Sequence, residues 1–513
     1  MLRSYVAGRW HTPTDAGRPL LDAATGAEVA RIATEPLDYA EVLAHARTVG
    51  GPALRALGFA DRARILKDLG KHLTGHLDEL HALSTRTGAT KRDSRFDVDG
   101  GISVLFVYGG KGARELPAAG LLPDGDAEQV GKGGSFAVQH VYTPLTGAAV
   151  QINAFNFPVW GMLEKFAPAF LAGVPSIVKP ASQTAYLTEL AVRYIVESGL
   201  LPDGALQLVC APPTGLVDGL TGQDLLSVTG SAATAAALRA HPAVAGNAVR
   251  FNAEADSLNC SILGPDATPG SPEFDLYVDQ LVTEMTVKAG QKCTAIRRAL
   301  VPRDLLDAVT DATAARLATV RVGNPGDPTV HMGPVAGLTQ RVEVRAALTA
   351  LTAEAELVHG HPERCEPVDA DAERGAFLPP MLLRCTDPDA RAPHEVEVFG
   401  PVSTLLSYDS TAHAVALAAR GGGSLAGSVV SHDAAFVREI VHGIAPWHGR
   451  LLVLDRDDAA ESTGHGAPIP HTVHGGPGRA GGGEELGGLR AVLHHMQRTA
   501  LQGSPAVLRS ITE

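Results

Sequence analysis

Short apolar segments alternate with helix-like segments from Thr146 onward, and few folds accommodate such a sequence. Alternating strands and helices with short connections favour right-handed crossovers and a parallel, doubly wound sheet. We therefore predict an α/β protein. The predicted strands lie at residues 150–152, 176–179, 206–209 and 225–229, and the predicted helices at about 158–172, 184–198 and 232–240.

Three further regions complete the predicted organisation. Residues 59–83 carry leucines spaced by three or four, which predicts one amphipathic helix. A second alternating pattern from about 274 to 430 indicates a second α/β domain. Residues 133–142 and part of 492–503 look like strands outside both domains, and we expect them to form a small extra sheet that pairs subunits.

Charge and cysteine content narrow the function classes. The formal net charge of −13 argues against binding to a phosphate backbone, which needs clustered Lys and Arg. We find no apolar segment with the length of a signal peptide or a membrane span. The five cysteines lie far apart without a CxxC pair, a pattern typical of reduced thiols. We expect a cytoplasmic protein with no nucleic-acid partner and no membrane partner.

Cys293 is the candidate nucleophile. It lies in the segment KAGQKCTAIRR, which contains Lys288, Lys292, Arg297 and Arg298. Nearby cations favour the thiolate, the reactive form of a cysteine. The motif therefore predicts a reactive thiol, with a buried structural cysteine as the alternative.

Glu254 and Asn156 are the candidate partners of that thiol. A carboxylate such as Glu254 can activate a water molecule near the sulfur, although Asp256 competes for the role. Asn156 precedes a predicted helix, where its amide can donate a hydrogen bond to a developing oxyanion. An ordinary helix cap is the alternative for Asn156, and a solvated acid is the alternative for Glu254.

Polar residues follow two of the predicted strands. Lys179 ends a buried strand, where an unpaired cation is costly, so we expect it to meet an anion or ribose hydroxyls. Its alternative is an edge lysine whose charged end reaches solvent. Thr229, Gly230 and Ser231 open a helix and can present backbone N–H groups to a pyrophosphate.

Two other patterns carry no predicted function. Residues 475–481 contain G-x-G-x-x-G but follow no clear strand and open no obvious helix, so we reject them as a dinucleotide site. His471 with His474, and His494 with His495, lack a clustered cysteine or acid that would complete a metal site. We predict that these histidines are structural or solvated and that the chain has no metal site.

Six ordered motifs together resemble those of the aldehyde dehydrogenase superfamily over essentially the whole chain. They are Asn156-Phe-Pro, Val178-Lys-Pro, Thr229-Gly-Ser, Glu254, Gly290-Gln-Lys-Cys293 and Glu397-Val-Phe399-Gly-Pro401. Residues 152–158, 254–259, 290–298 and 474–488 are more narrowly similar to the dehydrogenase half of the bifunctional phenylacetate-degradation enzymes. Semialdehyde dehydrogenases of the benzoyl-CoA pathway are near relatives of that group.

The resemblance implies a fold and its divisions. It implies a doubly wound, Rossmann-like cofactor domain, an α/β catalytic domain and a small oligomerisation sheet. The expected divisions are 1–126 with 146–255 for dinucleotide binding, 256–462 for catalysis, and 127–145 with 485–513 for oligomerisation. A homodimer or homotetramer is the implied assembly.

The resemblance also implies catalytic roles. Cys293 attacks the aldehyde carbon, and the Asn156 side chain and the Cys293 backbone N–H hold the resulting oxyanion. After hydride leaves to the nicotinamide, Glu254 activates the water that releases the acid from the thioester. Family members that transfer the acyl group to free coenzyme A usually lack this carboxylate, so Glu254 favours a free acid as product.

The same resemblance implies the cofactor contacts. Lys179 binds the adenosine ribose, Ser231 the pyrophosphate and Glu397 the nicotinamide ribose, with Phe399 packed beside it. Ser182 stands where NAD-preferring members often carry Glu, which would repel a 2′-phosphate. We therefore expect NADP as the preferred cofactor, with NAD as the alternative.

The implied reaction is NADP-dependent oxidation of a CoA-linked semialdehyde, produced by phenylacetate ring cleavage, to the carboxylic acid. Alternatives within the family are the 3,4-dehydroadipyl-CoA semialdehyde of the benzoyl-CoA pathway and free aldehydes in general. Two further alternatives are a non-catalytic assembly subunit and a cofactor-independent thioesterase or acyltransferase. Because the phenylacetate enzymes are fused to a ring-opening hydratase, we expect a separate hydratase partner or a longer natural chain.

Overall fold

A computed structural model describes residues 1–118 and 120–512 of the 513-residue chain. Its strands are β1 Ser4–Val6, β2 Arg9–His11, β3 Arg18–Leu21, β4 Glu28–Ile32, β5 Leu122–Gln129, β6 Ala137–Pro144, β7 Ala149–Ile152, β8 Ser176–Lys179, β9 Leu206–Leu208, β10 Leu225–Thr229, β11 Arg250–Glu254, β12 Cys260–Leu263, β13 Arg298–Pro302, β14 Glu356–His359, β15 Met381–Cys385, β16 Val402–Tyr408, β17 Ser424–Val430, β18 His448–Leu454, β19 Val473–Gly476, β20 Gly483–Leu486 and β21 Met496–Gly503.

The α-helices connect these strands and cover the sheets. They are α1 Tyr39–His45, α2 Gly51–Arg55, α3 Phe59–Thr74, α4 Leu77–Ser84, α5 Lys91–Ser94, α6 Gly100–Glu115, α7 Trp160–Ala172, α8 Ala185–Glu197, α9 Ala232–Arg239, α10 Pro242–Gly246, α11 Pro272–Thr286, α12 Leu306–Leu317, α13 Leu338–Leu351, α14 Ala392–Glu395, α15 Thr411–Ala419, α16 Ala434–Ile444, α17 Leu489–His494 and α18 Pro505–Thr512. Among residues 1–118 and 120–512, none of these helices is long and apolar enough to cross a membrane.

The first large sheet has seven strands in the order β11-β10-β7-β8-β9-β1-β2. Strands β7 to β11 pair in parallel, and β1 joins the edge of β9 antiparallel. The chain runs outward from β7 to one side and then returns to place β10 on the other side. Ligands of doubly wound sheets bind beyond the carboxyl ends of the strands at such a reversal. The predicted parallel sheet is therefore confirmed, and its crevice lies after β7 and β10.

The second large sheet also has seven strands, in the order β14-β15-β16-β13-β12-β17-β18. All neighbouring pairs in it are parallel except β14 with β15. Its strands are rich in Val and Leu and buried on both faces, as expected when helices cover a parallel sheet. The second α/β pattern predicted from the sequence corresponds to this sheet.

A third sheet lies outside both of these, in the order β21-β6-β5. Residues 137–144 of β6 pair antiparallel with residues 496–503 of β21 over their whole length. The two outlying segments of the sequence therefore do pair with each other. The sequence analysis missed β5, because its residues LPDGDAEQ include Pro, Gly and two Asp and are mostly exposed. β5 also crosses the expected boundary between residues 126 and 127.

The helix predicted over residues 59–83 is two helices, α3 and α4. The chain breaks at Gly75 and His76, where Gly75 ends α3 and the His76 ring stacks on Tyr194 at 3.8 Å. Glycine costs helix stability because its backbone is the most flexible. The leucine pattern nevertheless identified the core correctly, since four of its five leucines, Leu66, Leu69, Leu73 and Leu80, are fully buried.

Candidate active site

Cys293 lies in the loop between α11 and β13, and an unusual backbone positions it. Lys288, Ala289 and Gly290 all have positive φ values, of 54°, 50° and 66°. A Cβ atom on Gly290 would lie 2.1 Å from the carbonyl oxygen of Gly400, so only glycine fits there. This close approach joins the cysteine loop to the segment that carries Glu397 and Phe399.

Two buried side chains hold the cysteine loop from below. The Asn259 amide donates hydrogen bonds to the carbonyl oxygens of Cys293, at 2.8 Å, and Ala295, at 3.0 Å. The Arg297 guanidinium donates to the carbonyl oxygens of Gly290 and Gly400, both at 2.9 Å. These contacts fix the backbone on both sides of the nucleophile, and the sequence analysis gave Asn259 no role.

The prediction that local cations favour the Cys293 thiolate is wrong. Lys292 is bound to both carboxylate oxygens of Glu284, at 2.7 and 2.9 Å, and the charge of Lys288 faces two buried aspartates. Arg297 and Arg298 donate mainly to backbone carbonyl groups. Burial, followed by the charge of Glu254, raises the pKa of the Cys293 thiol, and Lys292 opposes this only weakly. The cations next to Cys293 in sequence therefore pair with groups other than its thiol.

Glu254 ends strand β11 and faces the thiol. A Glu254 carboxylate oxygen, the Cys293 sulfur and a His474 ring nitrogen lie within 4.8 Å of one another. Glu254 is buried, and its Oε1 atom has no hydrogen-bond partner among the described residues. An unpartnered carboxylate oxygen beside the sulfur is in position to hold a water molecule. The competing acid, Asp256, instead accepts a hydrogen bond from the N–H of Ala232, at 2.9 Å.

Asn156 lies in the turn between β7 and α7. It is buried, and its amide nitrogen donates a hydrogen bond to the carbonyl oxygen of Gln291 at 3.0 Å. An amide nitrogen carries two hydrogens, so this contact fixes the side chain and leaves a second donor. Asn156 and Cys293 line the same cavity, where that donor can reach an oxygen bound near the sulfur.

Two cavities meet at Cys293. The first, of about 490 Å³, lies at the reversal of the first sheet and contains ten lining residues from the segments after β7, β10 and β11: Asn153, Ala154, Phe155, Asn156, Thr229, Gly230, Ser231, Glu254, Ala255 and Asp256. Glu397 and Phe399 close it from the other domain. The second, of about 410 Å³, is lined mainly by apolar groups, among them Phe157, Trp160 and Ile469. A reactive group between two cavities can receive a different ligand from each side.

The predicted cofactor residues are distributed around the first cavity. Thr229, Gly230 and Ser231 line it, with Ser231 capping helix α9 by accepting from the Thr234 N–H at 3.2 Å. Lys179 lies at the end of β8 and donates to the carbonyl oxygen of Pro180 at 2.6 Å. Lys179 and Ser182 themselves stand just outside the lining, with Ala181 between them on it.

Glu397 and Phe399 lie at the opposite wall. Glu397 accepts a hydrogen bond from the N–H of Ser257 at 3.1 Å, and Arg297 lies 3.7 Å from its other oxygen. Burial raises the pKa of Glu397 to about 7, in spite of Arg297. The ring of Phe399 meets that of Phe155 edge-on at 5.8 Å. The two walls therefore touch across the mouth of the cavity.

His474 is buried, which agrees with the structural alternative of the sequence prediction and excludes the solvated one. It is 2% exposed, with Nε2 3.6 Å from the Cys293 sulfur. Its Nδ1 atom lies 3.0 Å from Glu164 and 3.4 Å from Glu254. The acids that the sequence did not cluster around His474 come from α7 and β11, far away along the chain. No local pattern in the sequence signals these contacts.

Glu164 and Glu485 share the cation of Lys165. Lys165 lies 2.8 Å from Glu164 and 2.8 Å from Glu485, and all three side chains are buried. Burial raises the pKa of Glu485 to about 7, whereas Lys165 and His474 outweigh burial at Glu164 and lower its pKa. A buried lysine paired with acids indicates an ion-pair network behind the nucleophile.

The glycine-rich segment at 475–481 is a hairpin between β19 and β20, which pair antiparallel. Contrary to the sequence interpretation, a strand does precede these glycines, but no helix of a βαβ unit follows. A Cβ on Gly449 would lie 1.8 Å from the carbonyl oxygen of Gly475, which shows how tightly the hairpin packs. The glycines bring His474 to the thiol and do not form a phosphate loop.

Comparison with known proteins identifies the family of the chain. Residues 10–460 match the profile of the aldehyde dehydrogenase family. A 3,4-dehydroadipyl-CoA semialdehyde dehydrogenase of Aromatoleum evansii is 48% identical over 478 residues, covering 93% of each chain. Protein MaoC of Klebsiella aerogenes is 49% identical over 185 residues, which are 35% of this chain and 52% of that protein.

The fold also has solved counterparts. A betaine aldehyde dehydrogenase of Staphylococcus aureus, solved in complex with NAD+, superposes with a TM-score of 0.85. The match covers 98% of this chain and 95% of that one at 22% sequence identity, so it is evidence for the fold alone. The family match spans most of the chain, and the chain belongs to the aldehyde dehydrogenase family.

Proposed function

We propose that this protein oxidises a CoA-linked semialdehyde to the carboxylic acid with a nicotinamide cofactor, NADP in preference to NAD. The observation that carries the proposal is the meeting of two cavities at Cys293. Cys293 lines both, so a cofactor held in one and an aldehyde held in the other would both lie beside its sulfur. The cofactor, when bound, accepts the hydride that leaves the aldehyde carbon.

The first cavity fits a polar cofactor. Its lining includes buried polar atoms without partners among the described residues, namely both amide atoms of Asn153, the hydroxyl of Thr229 and Oε1 of Glu254. Buried polar groups are rarely left unpaired unless a ligand or water completes them. Glu397 and Ser231 at opposite walls would hold a nicotinamide ribose and a pyrophosphate, respectively. Phe399 would pack beside that ribose.

Positive charge near Lys179 supports NADP. Burial and the neighbouring charge of Arg18 lower the pKa of Lys179. None of the ion pairs formed by residues 1–118 and 120–512 involves Lys179, so a bound anion is the natural partner of this cation. Ser182 places no carboxylate there. The 2′-phosphate of NADP would supply the anion for Lys179 and would meet no repelling carboxylate at Ser182. The 2′-hydroxyl of NAD is also tolerated by Ser182 but supplies no anion for Lys179.

The chemistry at the sulfur follows from the residues around it. Cys293 adds to the aldehyde carbon, and the Asn156 amide and the Cys293 N–H donate hydrogen bonds to the oxygen. After the thioester forms, Glu254 takes a proton from water, which attacks the thioester and releases the acid. A carboxylate beside the sulfur makes water the acyl acceptor and leaves CoA as a handle on the substrate.

The second cavity supports a substrate with a charged handle. Its apolar lining extends from Cys293 to the exposed side chains of Arg92, Arg95 and Phe96. Arg95 and Phe96 begin a π-helical turn, a feature often found at functional sites. An apolar acyl chain would lie along the cavity, with the CoA phosphates outside against the two arginines. The A. evansii relative is named for such a substrate.

Two semialdehydes are candidates for the acyl part. The similarity of residues 474–488 and of the C-terminal segment to the phenylacetate enzymes favours a semialdehyde from phenylacetate ring cleavage. The 48% identical relative favours the 3,4-dehydroadipyl-CoA semialdehyde. Both are ring-opened chains with an aldehyde at one end and a CoA thioester at the other.

We also propose a homodimer or homotetramer assembled through the β5–β6–β21 sheet. Helix α18 packs on this sheet, and Val507 and Ile511 on it are 54% and 47% exposed. Exposed apolar side chains beside an outlying sheet favour a subunit contact. A separate hydratase would supply the ring-opened semialdehyde.

Steady-state kinetics with a CoA-linked semialdehyde and matched free aldehydes, each with NADP and NAD, test the proposal. We expect a higher kcat/KM for the CoA substrate with NADP, and no activity in Cys293→Ala. The double variant R92A/R95A should raise KM for the CoA substrate about tenfold and leave free aldehydes unchanged. Lys91→Ala, a neighbouring exposed cation outside the cavity lining, is the matched control. Equal kcat/KM values for free and CoA-linked aldehydes would reject the CoA assignment.

A further inference from the structure

His474 and Cys293 are in direct contact, and both are held in place. Nε2 of His474 lies 3.6 Å from the sulfur, within reach of an S–H···N hydrogen bond. The ring of Trp160 packs against the imidazole at 5.1 Å and 64°. Because the imidazole is buried on strand β19, it has little freedom to turn away from the thiol.

Glu164 selects the tautomer of this imidazole. Oε2 of Glu164 lies 3.0 Å from Nδ1, so Nδ1 carries hydrogen and donates it to the carboxylate. The other oxygen of Glu164 accepts from Lys165 at 2.8 Å, which fixes the carboxylate plane. A neutral imidazole with hydrogen on Nδ1 presents the lone pair of Nε2 to the sulfur.

The thiol needs such a partner. Cys293 is surrounded by the carboxylates of Glu254 and Glu164, and with burial they raise the pKa of its thiol. The nearest lysine in sequence, Lys292, is bound to Glu284. A nucleophile that must be a thiolate in this setting requires a base, and a cation, at the sulfur itself.

We propose that His474 is a catalytic residue that takes the proton of Cys293 through Nε2, with Glu164 as the positioning residue that holds the imidazole. The arrangement is a Cys–His–Glu triad within an aldehyde dehydrogenase. In this arrangement two bases act in two different steps. His474 takes the proton of the thiol before it attacks the aldehyde, and Glu254 takes the proton of the water that hydrolyses the thioester. This inference rests on the proposed oxidation through Cys293.

The proton balance closes over one turnover. The S–H bond breaks as the proton moves to Nε2 of His474, and the sulfur forms a bond to the aldehyde carbon. The hydride and its electron pair leave this carbon for the bound cofactor, which gives the thioester. Water then loses a proton to Glu254 and bonds to the acyl carbon, the carbon–sulfur bond breaks, and His474 returns its proton to the departing sulfur. Glu254 releases its proton to solvent.

The charged groups around His474 and Cys293 come from several elements, and the acids among them favour the protonated form of His474. Burial lowers the pKa of His474, but the neighbouring acids outweigh it and raise the pKa overall. The charged groups around the two side chains are Glu164, Lys165, Glu254, Lys292, Arg297, Arg450 and Glu485. His474 is therefore a stronger base than an ordinary histidine and can take the thiol proton as the sulfur attacks, and Glu164 and Glu254 stabilise the imidazolium that forms.

Alkylation of Cys293 by iodoacetamide, followed by peptide mass spectrometry against pH, tests the proposal without an aldehyde. The wild type should be alkylated below pH 8, under the ordinary thiol pKa of about 8.5, because His474 takes the thiol proton as the sulfur attacks the reagent. His474→Gln should slow alkylation at pH 7 by about tenfold or more and move the profile to higher pH. His471→Gln is the matched control, because His471 is exposed. Its alkylation rate should depend on pH as in the wild type.

Two results would overturn the proposal. One is a His474→Gln profile that superimposes on the wild type. The other is measured on the wild type and so applies even if His474→Gln does not fold. Wild-type Cys293 that is alkylated only above about pH 9 does not use His474 as a base. Because alkylation uses no aldehyde, failure of the CoA-substrate assignment would leave both readouts intact.

The pre-steady-state burst of reduced cofactor tests the role of Glu164. His474→Gln should slow the burst about tenfold or more, because the burst reports thioester formation. Glu164→Gln should also slow it, and the double variant should be no slower than His474→Gln alone. Fully additive effects of the two substitutions would show that Glu164 does not act through His474.

Discussion

The ammonium group of Lys165 lies 2.8 Å from Oε2 of Glu485, and both side chains are buried behind the nucleophile. The contact joins helix α7, which carries Glu164, to strand β20 at the end of the glycine-rich hairpin. Lys165 bonds to Glu164 at the same time, so the two elements that hold His474 share one buried cation.

Glu485 should make the free energy of unfolding depend on pH. Burial raises its pKa from 4.5 to about 7 in the folded chain, so the native state binds more protons than the unfolded state between these values. The free energy of unfolding then falls as pH rises through that window, by up to about 1.4 kcal/mol per pH unit for one group. Chemical denaturation should show the wild type losing stability relative to Glu485→Gln from about pH 4.5 to about pH 7. A difference that stays constant with pH would contradict this.

Gly290 tests how the cysteine loop is built. In Gly290→Ala, the new Cβ would meet the Gly400 carbonyl at 2.1 Å, and alanine would have to adopt a φ of 66°. We expect a loss of about 2–5 kcal/mol in stability or a displaced loop with little activity. Thermal unfolding and kcat measure the two outcomes. Gly161→Ala is the control, since its Cβ would meet nothing within 4 Å, and it should retain full stability.

Ser182 tests the cofactor preference. Ser182→Glu would place a carboxylate beside Lys179, where it repels a 2′-phosphate and accepts from a ribose 2′-hydroxyl. We expect kcat/KM with NADP to fall at least tenfold and kcat/KM with NAD to rise. Gln183→Glu adds the same charge at the adjacent, exposed position and should leave the preference unchanged. An unchanged ratio in Ser182→Glu would place the 2′-phosphate elsewhere.

Asn156 tests the oxyanion contact. Its amide lies in the cavity that contains the sulfur and is already oriented by the Gln291 carbonyl. Asn156→Ala should lower kcat by roughly 10²–10³, the usual cost of one oxyanion donor, with a much smaller change in KM. Asn156→Ala should also keep the alkylation profile of Cys293, because the amide acts on the substrate oxygen and not on the thiol. A loss confined to KM would instead assign Asn156 to substrate binding.

Much of the fold could be predicted because its signals are local. Apolar strands with helical segments between them indicated the first parallel sheet, and Gly173 with a φ of 92° ends α7 where the sequence predicted. Strand β5 carries no such pattern, because its residues are polar and exposed. The break between α3 and α4 also escaped prediction, since the leucine spacing continues across Gly75.

Part of the candidate site could likewise be predicted from local sequence, and part could not. Short motifs indicated Cys293, Glu254 and Asn156 as candidates, and the structure places all three in one cavity, because each lies in a recognisable segment next to a strand or helix end. The charges around the sulfur could not be predicted from proximity in sequence. Lys292 lies next to Cys293 yet pairs with Glu284, whereas His474 lies 181 residues away and touches the sulfur. Only the packing of β19 against α7 and β11 brings that imidazole to the thiol.

We expect Cys293 to form a covalent acyl intermediate that is hydrolysed with Glu254 as the base, and intact-protein mass spectrometry of Glu254→Gln tests this most directly. Incubated with an aldehyde substrate and NADP, Glu254→Gln should accumulate one acyl group per chain on Cys293, with a normal burst of NADPH and slow turnover. Cys293→Ala should gain no mass under the same conditions. An unmodified Glu254→Gln protein that still turns over at the wild-type rate would contradict the account.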